Sequence, residues 1–127
     1  MKYKMYILCI RKMHLDTGTH VIIDITNIEN NDDLKYKNTI TPLMDCICQR
    51  FALNVVNKSM HQFEPYGVTG VYILSESHLS IHTFVDERKV AMDLYTCTEF
   101  KLVDELIAYL KEHFTGCNIA HKAIDRL

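Results

Sequence analysis

Apolar and polar positions alternate over residues 19–26, THVIIDIT, with Val21, Ile23 and Ile25 on one face, the period-two pattern of a strand. The polar stretch NIENNDDLKYKN follows and predicts a loop. Ile40, Leu43, Met44, Ile47 and Phe51 then recur at helical spacing, and Thr41-Pro42 reads as an N-cap with proline in the first turn. A helix is therefore expected from Thr41 to about Ala52, with its apolar face on a sheet. Further strands are expected over LNVVNKSMHQF (53–63), ended by the turn residues Glu64-Pro65-Tyr66-Gly67, and over VTGVYIL (68–74), HLSIHTF (78–84) and VAMDLYTC (90–97). Within 78–84, Leu79 and Ile81 point one way while His78, Ser80 and His82 point the other, which makes the polar face a candidate site. Leu102, Val103, Leu106, Ile107 and Leu110 mark an amphipathic helix ending near Phe114, with Gly116 as its C-cap and CNIAHKAI as a last strand or tail.

This order predicts an α+β fold: a two-layer sandwich, mainly an antiparallel sheet, with two helices on one face. The other sheet face must be buried or solvated. The Val-rich and Ile-rich strands favour burial against a second copy, so a homodimer with an αββα arrangement, or a higher homo-oligomer, is expected.

Composition narrows the class. A chain of 127 residues, 48% hydrophobic with a formal charge of −2, suits one domain, expected over residues 19–127 after an N-terminal extension over 1–18. No cluster of Lys and Arg supplies the footprint of a nucleic-acid binder. The apolar run from Met5 to Ile10 is short for a signal peptide and is followed at once by Arg11 and Lys12, and Met13 is an alternative start. No apolar stretch approaches the roughly 20 residues needed to span a bilayer. Cys9, Cys46, Cys48, Cys97 and Cys117 are odd in number without paired CxxC spacing, so reduced thiols and a cytoplasmic location are expected.

Candidate chemistry centres on SESH, residues 75–78, between two apolar strands. A turn, a metal site and a modification of the chain itself are all open for it. His78 and His82 have HxxxH spacing, but on a strand they lie about 13 Å apart, so no metal is expected there. Folding the 78–84 and 90–97 segments about the loop VDERK pairs residues whose numbers sum to about 174, within a residue or two, and brings Cys97 opposite Ser77. His82, five residues of extended strand or roughly 16 Å away, reaches Ser77 only if the strand bends or bulges, or across an interface with another protomer.

GVTGVYILSESHLSIHTF followed by MDLYTC closely resembles the bacterial and archaeal S-adenosylmethionine decarboxylases, and Gly18-Thr19-His20 resembles that family's Gly-x-His opening. The combination of ESH, IHT and TC is specific, and the likeness covers most of the chain. The resemblance implies cleavage between Glu76 and Ser77 into a β chain, 1–76, and an α chain, 77–127. Ser77 would become a pyruvoyl group, the cofactor, which forms a Schiff base with the amine of S-adenosylmethionine. It further implies His82 as the proton acceptor of processing, Thr69 as its supporting hydroxyl, Cys97 as the proton donor, and Phe63 as the aromatic stacking on adenine.

Taken singly, these residues have plainer roles: Ser77 as a turn residue, Cys97 as a small buried hydrophobe, Phe63 as core. Their joint occurrence favours the catalytic roles. Where the family often has Trp-Pro-Glu after His-Thr, this chain has Phe84-Val85-Asp86, which makes Asp86 the candidate for ribose hydroxyls. Thr98 stands where Gly is common. Those departures keep a pyruvoyl-dependent arginine or ornithine decarboxylase as the alternative, with a non-catalytic regulatory paralogue as a third.

Overall fold

The alternation along the chain becomes one antiparallel sheet covered by two helices. A computed structural model describes residues 18–126. Its elements are β1 (Gly18–Thr26), α1 (Lys37–Arg50), β2 (Val55–Gln62), β3 (Val68–Leu74), β4 (Ser77–Phe84), β5 (Lys89–Thr96), α2 (Val103–His113) and β6 (Asn118–Arg126). The strand order is β2-β3-β4-β5-β1-β6, and every neighbouring pair is antiparallel. The expected α+β sandwich is the observed one. The proposed extension, apart from Gly18, lies outside the described residues.

The core lies between the sheet and the helices. Val21, Ile23, Ile25, Tyr72, Leu79, Ile81, Val90 and Leu94 meet Met44 and Ile47 of α1 and Leu106 and Leu110 of α2, all fully buried. Period two on the strands and period 3.6 on the helices bury one side of each element, so the two layers close on each other. The opposite sheet face remains open and carries Ile22, Val71 and Ile73 at 39%, 38% and 51% exposure among polar residues. Gly116, with φ +77, turns the chain out of α2 as its sequence position suggests.

Two expectations are corrected. Helix α1 starts at Lys37 rather than Thr41, leaving Pro42 inside it, and a 3₁₀ turn over Asn31–Leu34 interrupts the expected loop. The extra turn is held from outside the segment. Gln62 Oε1 on β2 accepts from the Lys37 N–H at 2.8 Å, and Thr39 Oγ1 donates to the carbonyls of Tyr36 and Asp33. A side chain 25 residues away therefore caps the helix start, and spacing alone does not reveal such a cap. The β4–β5 hairpin pairs His78 with Tyr95 and Leu79 with Leu94, so its numbers sum to 173, one residue from the expected register.

No helix is long and apolar enough to cross a membrane among the described residues.

Candidate active site

The β3–β4 hairpin closes at the pair Leu74 and Ser77, leaving Ser75 and Glu76 as its tip. Glu76 sits at φ 60, the left-handed region that a residue with a Cβ enters at a cost of about 1–2 kcal/mol. The tip is tied to the end of α1's connection to β2: Ser75 N–H donates to the Asn54 carbonyl at 3.0 Å, and Asn54 Nδ2 donates to Ser75 Oγ at 2.7 Å. Ser77 follows as the first residue of β4. Cys97 follows the last residue of β5, and its N–H donates to Ser77 Oγ at 3.2 Å. The one-residue change of register thus leaves the expected neighbours together.

Ser77 and Cys97 line one open cavity with Leu53, Asn54, Leu74 and Phe100, of ≈ 250 Å³. That lies below the roughly 300–1,000 Å³ usual for sites enclosing drug-sized ligands.

Thr69 and His82 form a second group. They are direct cross-strand partners on the open face, with Thr69 Oγ1 3.1 Å from His82 Nδ1. Beyond them, Phe63 follows β2 with 48% of its surface exposed, its N–H bonded to the Gly67 carbonyl at 2.8 Å and its ring edge-on to His61. Asp86, in the β4–β5 turn, accepts from the Tyr66 hydroxyl at 2.8 Å. Thr69, His82, Phe63 and Asp86 therefore gather toward one end of the sheet, and Ser77 and Cys97 toward the other.

Pairing of β4 with β3 and with β5 runs without a register shift from His78 to His82. A bend or bulge that would swing His82 toward Ser77 is absent. Five residues of regular strand separate the two side chains by roughly 16 Å.

Between the two ends, on the open face, Asp93 gathers three donors. His20 Nε2 stands 2.7 Å and His78 Nε2 3.2 Å from Asp93 Oδ2, and Ser80 Oγ donates to Oδ1. Burial opposes the charge on Asp93, but the hydrogen bonds from Ser80, His20 and His78 outweigh it and hold the carboxyl below its usual range. His78 therefore partners Asp93 and His20, not His82. The grouping was missed in the sequence because its members come from three strands, although their alternate positions mark each as open-face.

A family model described as S-adenosylmethionine decarboxylase matches residues 19–127. The chain belongs to the S-adenosylmethionine decarboxylase family. The chain is 31% identical over 110 residues to the S-adenosylmethionine decarboxylase proenzyme of Clostridium botulinum strain Hall, covering 87% of this chain and 94% of that one. It is 29% identical over 114 residues to the proenzyme of Thermoplasma acidophilum, covering 90% and 86%. The crystal structure of the adenosylmethionine decarboxylase of Aquifex aeolicus shares the fold, with a TM-score of 0.77 at 24% identity over 87% of this chain and 91% of that one.

Against the decarboxylase family pattern, the thiols need one correction. Cys46, Cys48 and Cys117 are free, and burial pushes the Cys48 thiol up to about 11. Cys97 is disulfide-bonded. Disulfide formation depends on the approach of two Cβ atoms, which cysteine spacing in the sequence does not encode. A proton-donating Cys97 requires the reduced form. Tyr66 was also missed, since nothing in its local sequence signals that its hydroxyl reaches a carboxylate 20 residues on.

Proposed function

We propose that the protein is a cytoplasmic, self-processing decarboxylase that releases carbon dioxide from S-adenosylmethionine and yields the aminopropyl donor for spermidine synthesis. The observation that carries this proposal is Ser77 Oγ within hydrogen-bond reach of Cys97, at the mouth of a cavity and directly after the left-handed Glu76. Membership of the decarboxylase family supports it.

Processing begins at that strained bond. Ser77 Oγ adds to the Glu76 carbonyl carbon, the C–N bond to residue 77 breaks, and the chain there becomes an ester with a free amine on residue 77. Removal of the Cα proton of residue 77 then expels the Glu76 carboxylate, which ends the first chain. The enamine left at residue 77 takes a proton on its terminal carbon to become an imine, and hydrolysis of that C=N bond releases ammonia and leaves a ketone at position 77. The residues fit the first step: the Cys97 N–H donates to Ser77 Oγ, the oxygen that attacks and then departs with the Glu76 carboxylate, while the ketone oxygen comes from water.

The pyruvoyl ketone supplies an electron sink for the substrate amine while the carboxylate leaves. Reduced Cys97 then delivers the proton that the substrate α-carbon needs.

A homodimer completes the site. The open faces carry Ile22, Val71 and Ile73 and have no helix over them. Stacking two such faces head to tail brings the Ser77 end of one sheet to His82 of the partner subunit. That imidazole takes the Cα proton, and Thr69 of the partner subunit steadies the carbonyl oxygen under attack. Phe63 of the partner subunit offers its exposed ring to adenine, and Asp86 of the partner subunit accepts from ribose hydroxyls. The small cavity beside Ser77 holds only the methionyl part, consistent with a site made of two halves.

Mass spectrometry of the purified protein tests the proposal. One chain ending at Glu76 and another beginning with a pyruvoyl group at 77 are expected; a stable full-length chain under native conditions defeats it. Carbon dioxide release from S-adenosylmethionine, arginine and ornithine then checks the substrate, with clear preference for a basic amino acid overturning it.

A further inference from the structure

The processing and decarboxylation steps leave the cluster at the centre of the open face without a task. His20 on β1, His78 on β4 and Asp93 on β5 offer two ring nitrogens and one carboxylate oxygen, all within 4.8 Å of one another. The sheet itself builds this arrangement. Strand β5 lies between the other two, and Tyr95 pairs with both His78 and His20, so the imidazoles flank one row while Asp93 stands two residues along the same face.

We infer that His20, His78 and Asp93 form a binding site for a divalent transition-metal ion. Two imidazoles and a carboxylate are a donor set for Zn²⁺, Co²⁺ or Ni²⁺. Ligand atoms about 2.0–2.2 Å from such an ion lie roughly 3.0–3.5 Å apart around it. Asp93 Oδ2 stands 2.7 and 3.2 Å from the two Nε2 atoms, so entry of an ion requires only small rotations. Ser80 donates to the other carboxylate oxygen, which leaves Oδ2 facing the two rings and fixes its direction, as outer partners of metal ligands do. In the single chain the side chains of His20, Asp93 and His78 are 21%, 26% and 42% exposed, and stacking of the open faces in the proposed dimer would shield the site further. All three stand on interior strands, which hold them without loop movement.

Loading shifts the ring proton of His20. A metal on His20 Nε2 leaves the ring proton on Nδ1, which faces Arg126 Nη1 at 3.4 Å, donor against donor. Arg126 is exposed at the end of β6 and swings into solvent on loading. The empty cluster is instead held by its hydrogen bonds to Asp93, so the two states differ in what Arg126 does.

The test uses full-length protein stripped with a chelator and titrated with Co²⁺ and Zn²⁺. One equivalent per chain is expected, with visible Co²⁺ bands lacking thiolate charge transfer. His20→Ala and His78→Ala should each weaken binding by about tenfold or more, and Arg126→Gln should tighten it. His121→Ala, an exposed imidazole on β6, should leave it unchanged. No binding tighter than millimolar, or losses no larger than in His121→Ala, overturns the site in favour of a purely hydrogen-bonded cluster. Arg126→Gln alters only an exposed side chain, so its unchanged affinity counts against the inference even where a histidine variant fails to fold.

Discussion

The Cys97 backbone N–H donates to Ser77 Oγ at 3.2 Å across 20 residues of sequence, because β4 begins where β5 ends. A hydroxyl and a cysteine are thereby held at one sheet end, and two substitutions separate the tasks proposed for them. Ser77→Ala should abolish cleavage, leaving one intact band on a denaturing gel. Cys97→Ala should cleave but lose turnover by about 100-fold or more, the scale of a missing positioned proton donor. Normal turnover in Cys97→Ala removes the donor role.

Regular pairing of β4 keeps His82 away from Ser77 of its own chain, so complementation should occur in trans. Co-expressed Ser77→Ala and His82→Ala chains should form mixed dimers in which the His82→Ala chain is cleaved, while neither variant alone is. Tagged chains and mass spectrometry read the outcome. Absence of cleavage in verified mixed dimers means that His82 serves its own chain or none.

Phe63 presents nearly half of its surface, and base stacking on an aromatic ring is worth about 1–3 kcal/mol. Phe63→Ala should therefore raise KM for S-adenosylmethionine by roughly 5- to 150-fold with kcat little changed. Asp86→Ala should act in the same direction, and Asp86→Glu should recover much of the loss. A fall in kcat at constant KM contradicts a binding role for either residue.

Glu76 at φ 60 stores backbone strain beside the proposed cleavage site. In a Ser77→Ala background, Glu76→Gly should stabilise the chain by about 1 kcal/mol, since glycine enters the left-handed region freely. In the processing-competent chain the same change should slow cleavage. Cleavage at an unchanged rate separates the strain from the chemistry.

Asp45 of α1 joins the two layers: Lys58 Nζ and Tyr72 Oη both donate to Oδ1, at 2.7 and 2.6 Å. The Lys58 bond, then the Tyr72 bond, hold its carboxyl below the usual 3.8. A depressed folded-state value gives stability that is full above the unfolded value and is lost as pH falls through the folded one. Asp45→Asn should therefore lower the Tm at pH 7, modestly because Asp45 is 43% exposed, and the gap should close as pH drops below about 3.8. A gap constant from pH 7 to pH 2 excludes the ionic contribution.

Local pattern carried most of the fold. Val21, Ile23 and Ile25, or Leu79 and Ile81, announce their strands because burial on one side imposes period two. The β4–β5 register was legible to within one residue because a short hairpin leaves few ways to pair. The start of α1 was not, since Gln62 caps it from another strand. Nor were the Tyr66 contact with Asp86 and the convergence of His20, His78 and Asp93, which join residues up to 73 positions apart.

The sequence alone determined the sheet-and-helix layers and the family, and named the candidate residues for cleavage and catalysis, because these depend on short-range periodicity and contiguous motifs. Only the tertiary structure decided which of them share a space. Strand order and straight pairing bring Ser77 to Cys97 and Thr69 to His82, yet hold the two pairs about five residues of rigid sheet apart.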